Sequence, residues 1–131
     1  MNREAKTFLE NWHAYIASPS QTALDALIAD NASISSPAYW KPKQSKPYVM
    51  AILTAVTEAF EDFHYTKEWV DGREMILEFT SRVGDVDLKG IDRITINDKS
   101  QIEHIEVMIR PLNGLMALAE HVKSALAAAP A

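Results

Sequence analysis

The sequence predicts a single α+β domain over residues 1–131, with its helices segregated onto one face of an antiparallel sheet. Three observations carry this. Apolar residues recur at helical spacing up to Phe60, the period drops to two from Asp62, and helical spacing returns after Pro111. A length of 131 residues suits one domain, and the chain contains neither an internal repeat nor a linker.

Ala5, Phe8, Leu9, Trp12 and Ile16 form the apolar stripe of a first helix. Ser18-Pro19-Ser20 breaks it, and Ser20 is placed to cap a second helix that buries Leu24, Leu27 and Ile28. A short strand over 32–36 ends at Pro37, followed by a loop that carries Tyr39 and Trp40. Ser45 is the expected cap of a third helix. Pro47 lies in its first turn, where a missing N–H costs nothing, and Val49, Ile52, Leu53, Val56 and Phe60 form its buried face. Four strands follow, over 63–70, 74–83, 86–96 and 101–110, separated by Asp71-Gly72, Gly84-Asp85 and residues 97–100. A final helix begins after Pro111 and buries Leu112, Leu115, Met116, Leu118 and Val122, with the tail 125–131 expected to fray.

Turn positions set the register. A two-residue turn at Gly84-Asp85 pairs Phe79 with Gly90, Leu77 with Asp92 and Met75 with Ile94. The aromatic ring of Phe79 then fills the gap left by the glycine. A symmetric turn over 97–100 pairs Gly90 with Val107, Asp92 with Ile105 and Leu88 with Ile109, and sets Asp87 across from Arg110. Both hairpins put their apolar sets on one face. For the first strand two arrangements stay open. A two-residue turn at Asp71-Gly72 sends Phe63, Tyr65 and Trp69 to the outer face and His64 inward, whereas a three-residue loop reverses them. Ile76, Ile91 and Met108 also belong to the outer face, and this half-apolar surface predicts a homodimer through it.

Composition excludes several classes. With 47% hydrophobic residues and few Pro or Gly, the chain can bury a core. The absence of Cys removes disulfides, zinc–thiolate sites, iron–sulfur clusters and thiol nucleophiles. A net charge of -5 with no basic cluster argues against a nucleic-acid partner. No apolar run approaches the roughly 20 residues of a membrane span, and the charged N-terminus does not read as a signal peptide, so the expectation is a cytoplasmic protein without membrane contact.

The order of elements, the segment Val86-Asp87-Leu88-Lys89-Gly90-Ile91-Asp92 and the segment from Ile105 through Arg110-Pro111-Leu112 resemble the NTF2-like superfamily, and within it a SnoaL-like subgroup of bacterial proteins. The resemblance covers nearly the whole chain. It implies a cone-shaped, cystatin-like roll: a curved sheet with helices on its concave face and a pocket between them. The residues it would place at that pocket are Trp12 and Tyr15, Tyr39 and Trp40, and Leu77, Phe79, Gly90, Asp92 and Val107. A mostly apolar cavity of this kind suits a small hydrophobic or aromatic ligand. The fold hosts cyclases, isomerases, dehydratases and non-catalytic association domains alike.

Asp92 is the main chemical candidate, because it interrupts the apolar register of Val86, Leu88, Gly90 and Ile94. A desolvated carboxyl has a raised pKa and serves as general acid or base near neutrality. An Asp92–His64 pair is a weaker candidate, and a solvated histidine is the simpler reading of His64. The ketosteroid-isomerase-like branch of the superfamily has a basic Asp before Pro and an oxyanion-binding tyrosine. Ser36-Pro37 and Trp12 stand at the matching places here, so the resemblance does not extend to that mechanism. His104 and Glu106 share a strand face, but two ligands do not make a metal site. With no Gly-rich phosphate loop, nucleophile elbow or carboxylate cluster, no cofactor is expected. The sequence therefore points first to a ligand-binding homodimer. An enzyme using Asp92 for cyclisation, isomerisation or dehydration is the alternative, and an association module whose cone is filled by side chains is a third reading.

Overall fold

The structure, a computed structural model, describes residues 1–128. Helix α1 (Arg3–Ala17) starts where the Asn2 side chain accepts from the Ala5 N–H at 2.7 Å. It buries Ala5, Phe8, Leu9, Trp12 and Tyr15, so Tyr15 takes the central place expected for Ile16, which is half-buried. Ser20 caps the short α2 (Gln21–Leu27). The chain then passes directly into β1 (Ile28–Ser35), four residues earlier than periodicity suggests. The pairing slips between Ile28 and Ser33, leaving Ile28 and Ala29 both buried, which hides the strand from a period-two reading.

A two-residue edge strand, β2 (Lys43–Gln44), leads to α3 (Lys46–Ala59), whose first turn is capped by the Ser45 hydroxyl and contains Pro47. Next come β3 (Glu61–Asp71), β4 (Glu74–Val83), β5 (Val86–Ile96), β6 (Ile102–Arg110) and α4 (Leu112–Ala128). The first part of the tail expected to fray is thus helical, and 129–131 lie outside the described residues. The sheet order is β2-β1-β6-β5-β4-β3, with β1 parallel to β6 and every other pairing antiparallel.

The β4–β5 register follows the Gly84-Asp85 turn: Phe79 opposes Gly90, Leu77 opposes Asp92 and Met75 opposes Ile94. The β5–β6 pairing keeps the expected face but moves by two residues. Gly90 opposes Ile109, Asp92 opposes Val107 and Arg110 opposes Lys89, so Asp87 and Arg110 do not face each other. The Asn97 side chain accepts from the N–H groups of Lys99 and Gln101, which stretches the loop so that Ile96 meets Ile102. A further slip between Thr95 and Ile96 adds the second residue. Two odd shifts cancel in facing, though not in partner.

Neither arrangement considered for β3 describes it whole. Its turn residues are Gly72 and Arg73, because Asp71 pairs with Glu74 and Gly72 takes the positive φ of 62° at the first turn position. Trp69 opposes Ile76 and faces outward. Between Tyr65 and Lys67 the register slips by one at Thr66, a β-bulge that reverses the alternation upstream. Phe63 and Tyr65 therefore turn inward, where Phe63 stacks on Phe79 at 5.0 Å. His64 turns outward.

Candidate active site

Leu88, Gly90, Asp92, Ile94 and Ile96 of β5 alternate onto the helix-covered face. Asp92 is only 8% exposed and stands between Leu77 and Val107 on the neighbouring strands. Its hydrogen-bond partner is the Tyr65 hydroxyl, which donates to Oδ2 at 2.8 Å. The Tyr65 oxygen in turn accepts from Trp12 Nε1–H at 2.8 Å. An indole N–H can only donate, so the chain runs one way, from Trp12 through Tyr65 to Asp92. Oδ1 has no such partner among the described hydrogen bonds.

Burial pushes the Asp92 pKa up to about 7, against an opposing pull from the Tyr65 hydrogen bond. Tyr65 is raised well above its ordinary value by burial and by the Asp92 charge, so the phenol keeps its proton. Behind Tyr65, the His13 ring stands T-shaped to the phenol ring with centroids 5.5 Å apart while His13 pairs with Glu68 of β3, fixing α1 against the bulged strand.

Asp92 forms part of the wall of a cavity of about 370 Å³. The sheet contributes Ile34, Phe63, Tyr65 and Val107; α1 contributes Trp12 and Ile16; α3 and α4 contribute mainly aliphatic side chains such as Ile52, Val56, Leu115 and Val122. Among the described lining residues Asp92 is the sole carboxylic acid. Size and apolar character match small-molecule sites in general.

Of the residues singled out from sequence, Trp12, Tyr39, Asp92 and Val107 line this cavity. Leu77 and Phe79 share the inner sheet face but are sealed in the core, and Gly90 is covered by the Phe79 ring. Tyr15 is also core, its hydroxyl 3.4 Å from Thr57 Oγ1. Trp40 is 95% exposed and does not line this cavity: Tyr39 and Trp40 are consecutive, and Tyr39 is the one among the lining residues. His64 sits on the outer face 3.8 Å from Asp62, so no Asp92–His64 pair forms. His104 is bracketed by two hydroxyls, Ser33 Oγ at 2.7 Å and Ser35 Oγ at 3.1 Å, with no metal-like grouping among the described residues. Sequence reasoning missed Tyr65 as the partner of Asp92, because its facing depends on the Thr66 bulge, and missed the contributions of α3 and α4.

The chain is 40% identical to a steroid delta-isomerase from Pseudomonas aeruginosa, over 97% of this chain and 94% of that one, with a TM-score of 0.91. An NTF2-like protein from Cytophaga hutchinsonii ATCC 33406 superposes with a TM-score of 0.66 at 10% identity, covering 82% of this chain and 90% of that one. A SnoaL-like polyketide cyclase from Jannaschia sp. CCS1 does so with a TM-score of 0.71 at 10% identity, covering 99% and 98%. The chain belongs to the same family as the Pseudomonas aeruginosa protein and has the NTF2-like fold. No protein-family model matches it, and no curated protein does. At 10% identity the cyclase and the Cytophaga protein share the NTF2-like fold alone. In this NTF2-like chain the cavity lies between the sheet and the helices α1, α3 and α4.

Proposed function

We propose that this protein binds a small hydrophobic carbonyl compound in its cavity and that Asp92 transfers a proton on it as general acid and base. The observation that carries this is a buried carboxyl, held through one oxygen by Tyr65, in the wall of an open apolar cavity. A carboxyl titrating at about 7 is close to half-ionised at neutral pH, so it can both accept and return a proton. Ser36 stands where the isomerase-like branch has its basic Asp, so taking and returning the proton both fall to Asp92. This favours a shuttle between two positions of the same substrate, as in double-bond migration next to a ketone. The name of the Pseudomonas aeruginosa relative, a steroid delta-isomerase, supports that substrate class. The association-module reading expects a cone filled by side chains, which a cavity of about 370 Å³ does not favour.

The test uses β,γ-unsaturated ketones, steroidal and smaller, assayed for conjugation by the native protein and by Asp92→Asn. Asp92→Asn is expected to lose about 10²–10⁴-fold in turnover, while the conjugated product still raises the melting temperature of both proteins. If ligands stabilise the native protein but none is turned over, only the binding half of the proposal stands. If nothing stabilises it, both halves fall.

We further propose that two copies associate through the outer sheet face, where Trp69 and Met108 are exposed beside the half-buried Ile76 and Ile91.

A further inference from the structure

The cavity wall holds one acid and, among the described residues, one cation. Asp92 lies in the sheet, and Lys123 lies on α4 as an exposed member of the cavity lining. We propose that the ligand is amphipathic: its apolar body and carbonyl enter toward Asp92, and an anionic group, a carboxylate or its equivalent, stays outside on Lys123. This rests on the binding reading above.

Lys123 is set apart from the other lysines by its place on the cavity. Lys46 and Lys89 are ion-paired with carboxylates, and Lys43 and Lys67 lie over the rings of Tyr48 and Trp69. Lys123 makes neither kind of contact among the described residues, and it alone of the lysines lines the cavity. Ala119, Val122 and Leu126, its lining neighbours along α4, are apolar. Such a setting lets the lysine stem lie along greasy surface while the ammonium stays hydrated. A ligand anion meeting it there also stays hydrated, so burying the rest of the molecule carries no charge-desolvation cost. The reverse orientation would bury the anion beside Asp92, where desolvation and like charge both oppose it. The acid and the cation on the wall therefore sort the two ends of one molecule.

Titration calorimetry at low salt compares three probes: a medium-chain methyl ketone, the matching keto acid with a carboxylate at the far end, and the matching amine. The native protein should bind the keto acid about threefold to fivefold more tightly than the plain ketone, the scale of an exposed ion pair. The amine should bind most weakly. Lys123→Arg should keep this order, Lys123→Met should make acid and ketone equal, and Lys123→Glu should favour the amine. A native protein that prefers the plain ketone, or a preference for the acid that survives in Lys123→Met, overturns the proposal while leaving ligand binding intact. If none of the probes binds the native protein, the binding reading fails, and the orientation proposal fails with it.

Discussion

At the scale of the residue, the burial of Asp92 costs stability. Its carboxyl titrates at about 7 in the folded chain against an ordinary 3.8, because burial penalises the charge. Between those values the folded state holds a proton that the unfolded chain has released. Folding stability therefore falls as pH rises through that window and is flat above it, by up to roughly 4 kcal/mol. Asp92→Asn removes the titration. Urea unfolding should show the Asn variant gaining on the native protein by about 3 kcal/mol between about pH 4 and about pH 8. A constant gap across that range would mean that Asp92 is not desolvated. The inward position of Asp92 was legible in the sequence, since a lone acid in an apolar strand register has few other places to go. Tyr65, which restrains the same carboxyl, was not. Whether its side chain faces the cavity depends on the extra residue at Thr66, and no local pattern around Thr66 announces a bulge.

At the scale of the element, the β4–β5 hairpin is the part of the molecule most tightly specified by its own residues. Gly84 supplies the positive φ of the turn, and the pairs that follow run unbroken from Val83–Val86 to Glu74–Thr95. Gly90 is the point where this ladder admits no side chain. A Cβ there would sit 2.5 Å from the Met108 carbonyl oxygen and 2.7 Å from Phe79 Cζ. Backbone cannot yield as a flexible side chain can, so Gly90→Ala should cost about 1–3 kcal/mol and lower the melting temperature by several degrees. An unchanged melt would show that β5 and β6 part easily. The neighbouring hairpins were less legible for definite reasons. Asp71-Gly72 reads as a turn pair with glycine second, yet Gly72 comes first, and the Asn97 side chain lengthens the last loop by bonding within it. Helix caps at Ser20 and Ser45 were readable because capping is local; the lining role of α4 was not, because helical spacing marks an apolar stripe without saying whether it meets core or cavity.

At the scale of the whole molecule, the Thr66 bulge also shapes the outer surface. By turning Phe63 and Tyr65 inward it leaves Trp69 and Met108 as the exposed large apolar side chains of that sheet face. A homodimer built on this face should be seen by sedimentation as a species of twice the chain mass. The double substitution Trp69→Lys with Met108→Lys should convert it to a monomer without lowering the melting temperature of the isolated fold. A native protein that sediments as a monomer at high concentration removes the interface. The chain of donors behind Asp92 has a different consequence. It ends at an indole whose hydrogen is not given up, so the scaffold behind the carboxyl is a dead end rather than a wire. If Asp92 lifts hydrogen from a guest as proposed, this chain of donors offers no exit, and the hydrogen leaves on the side from which the guest came.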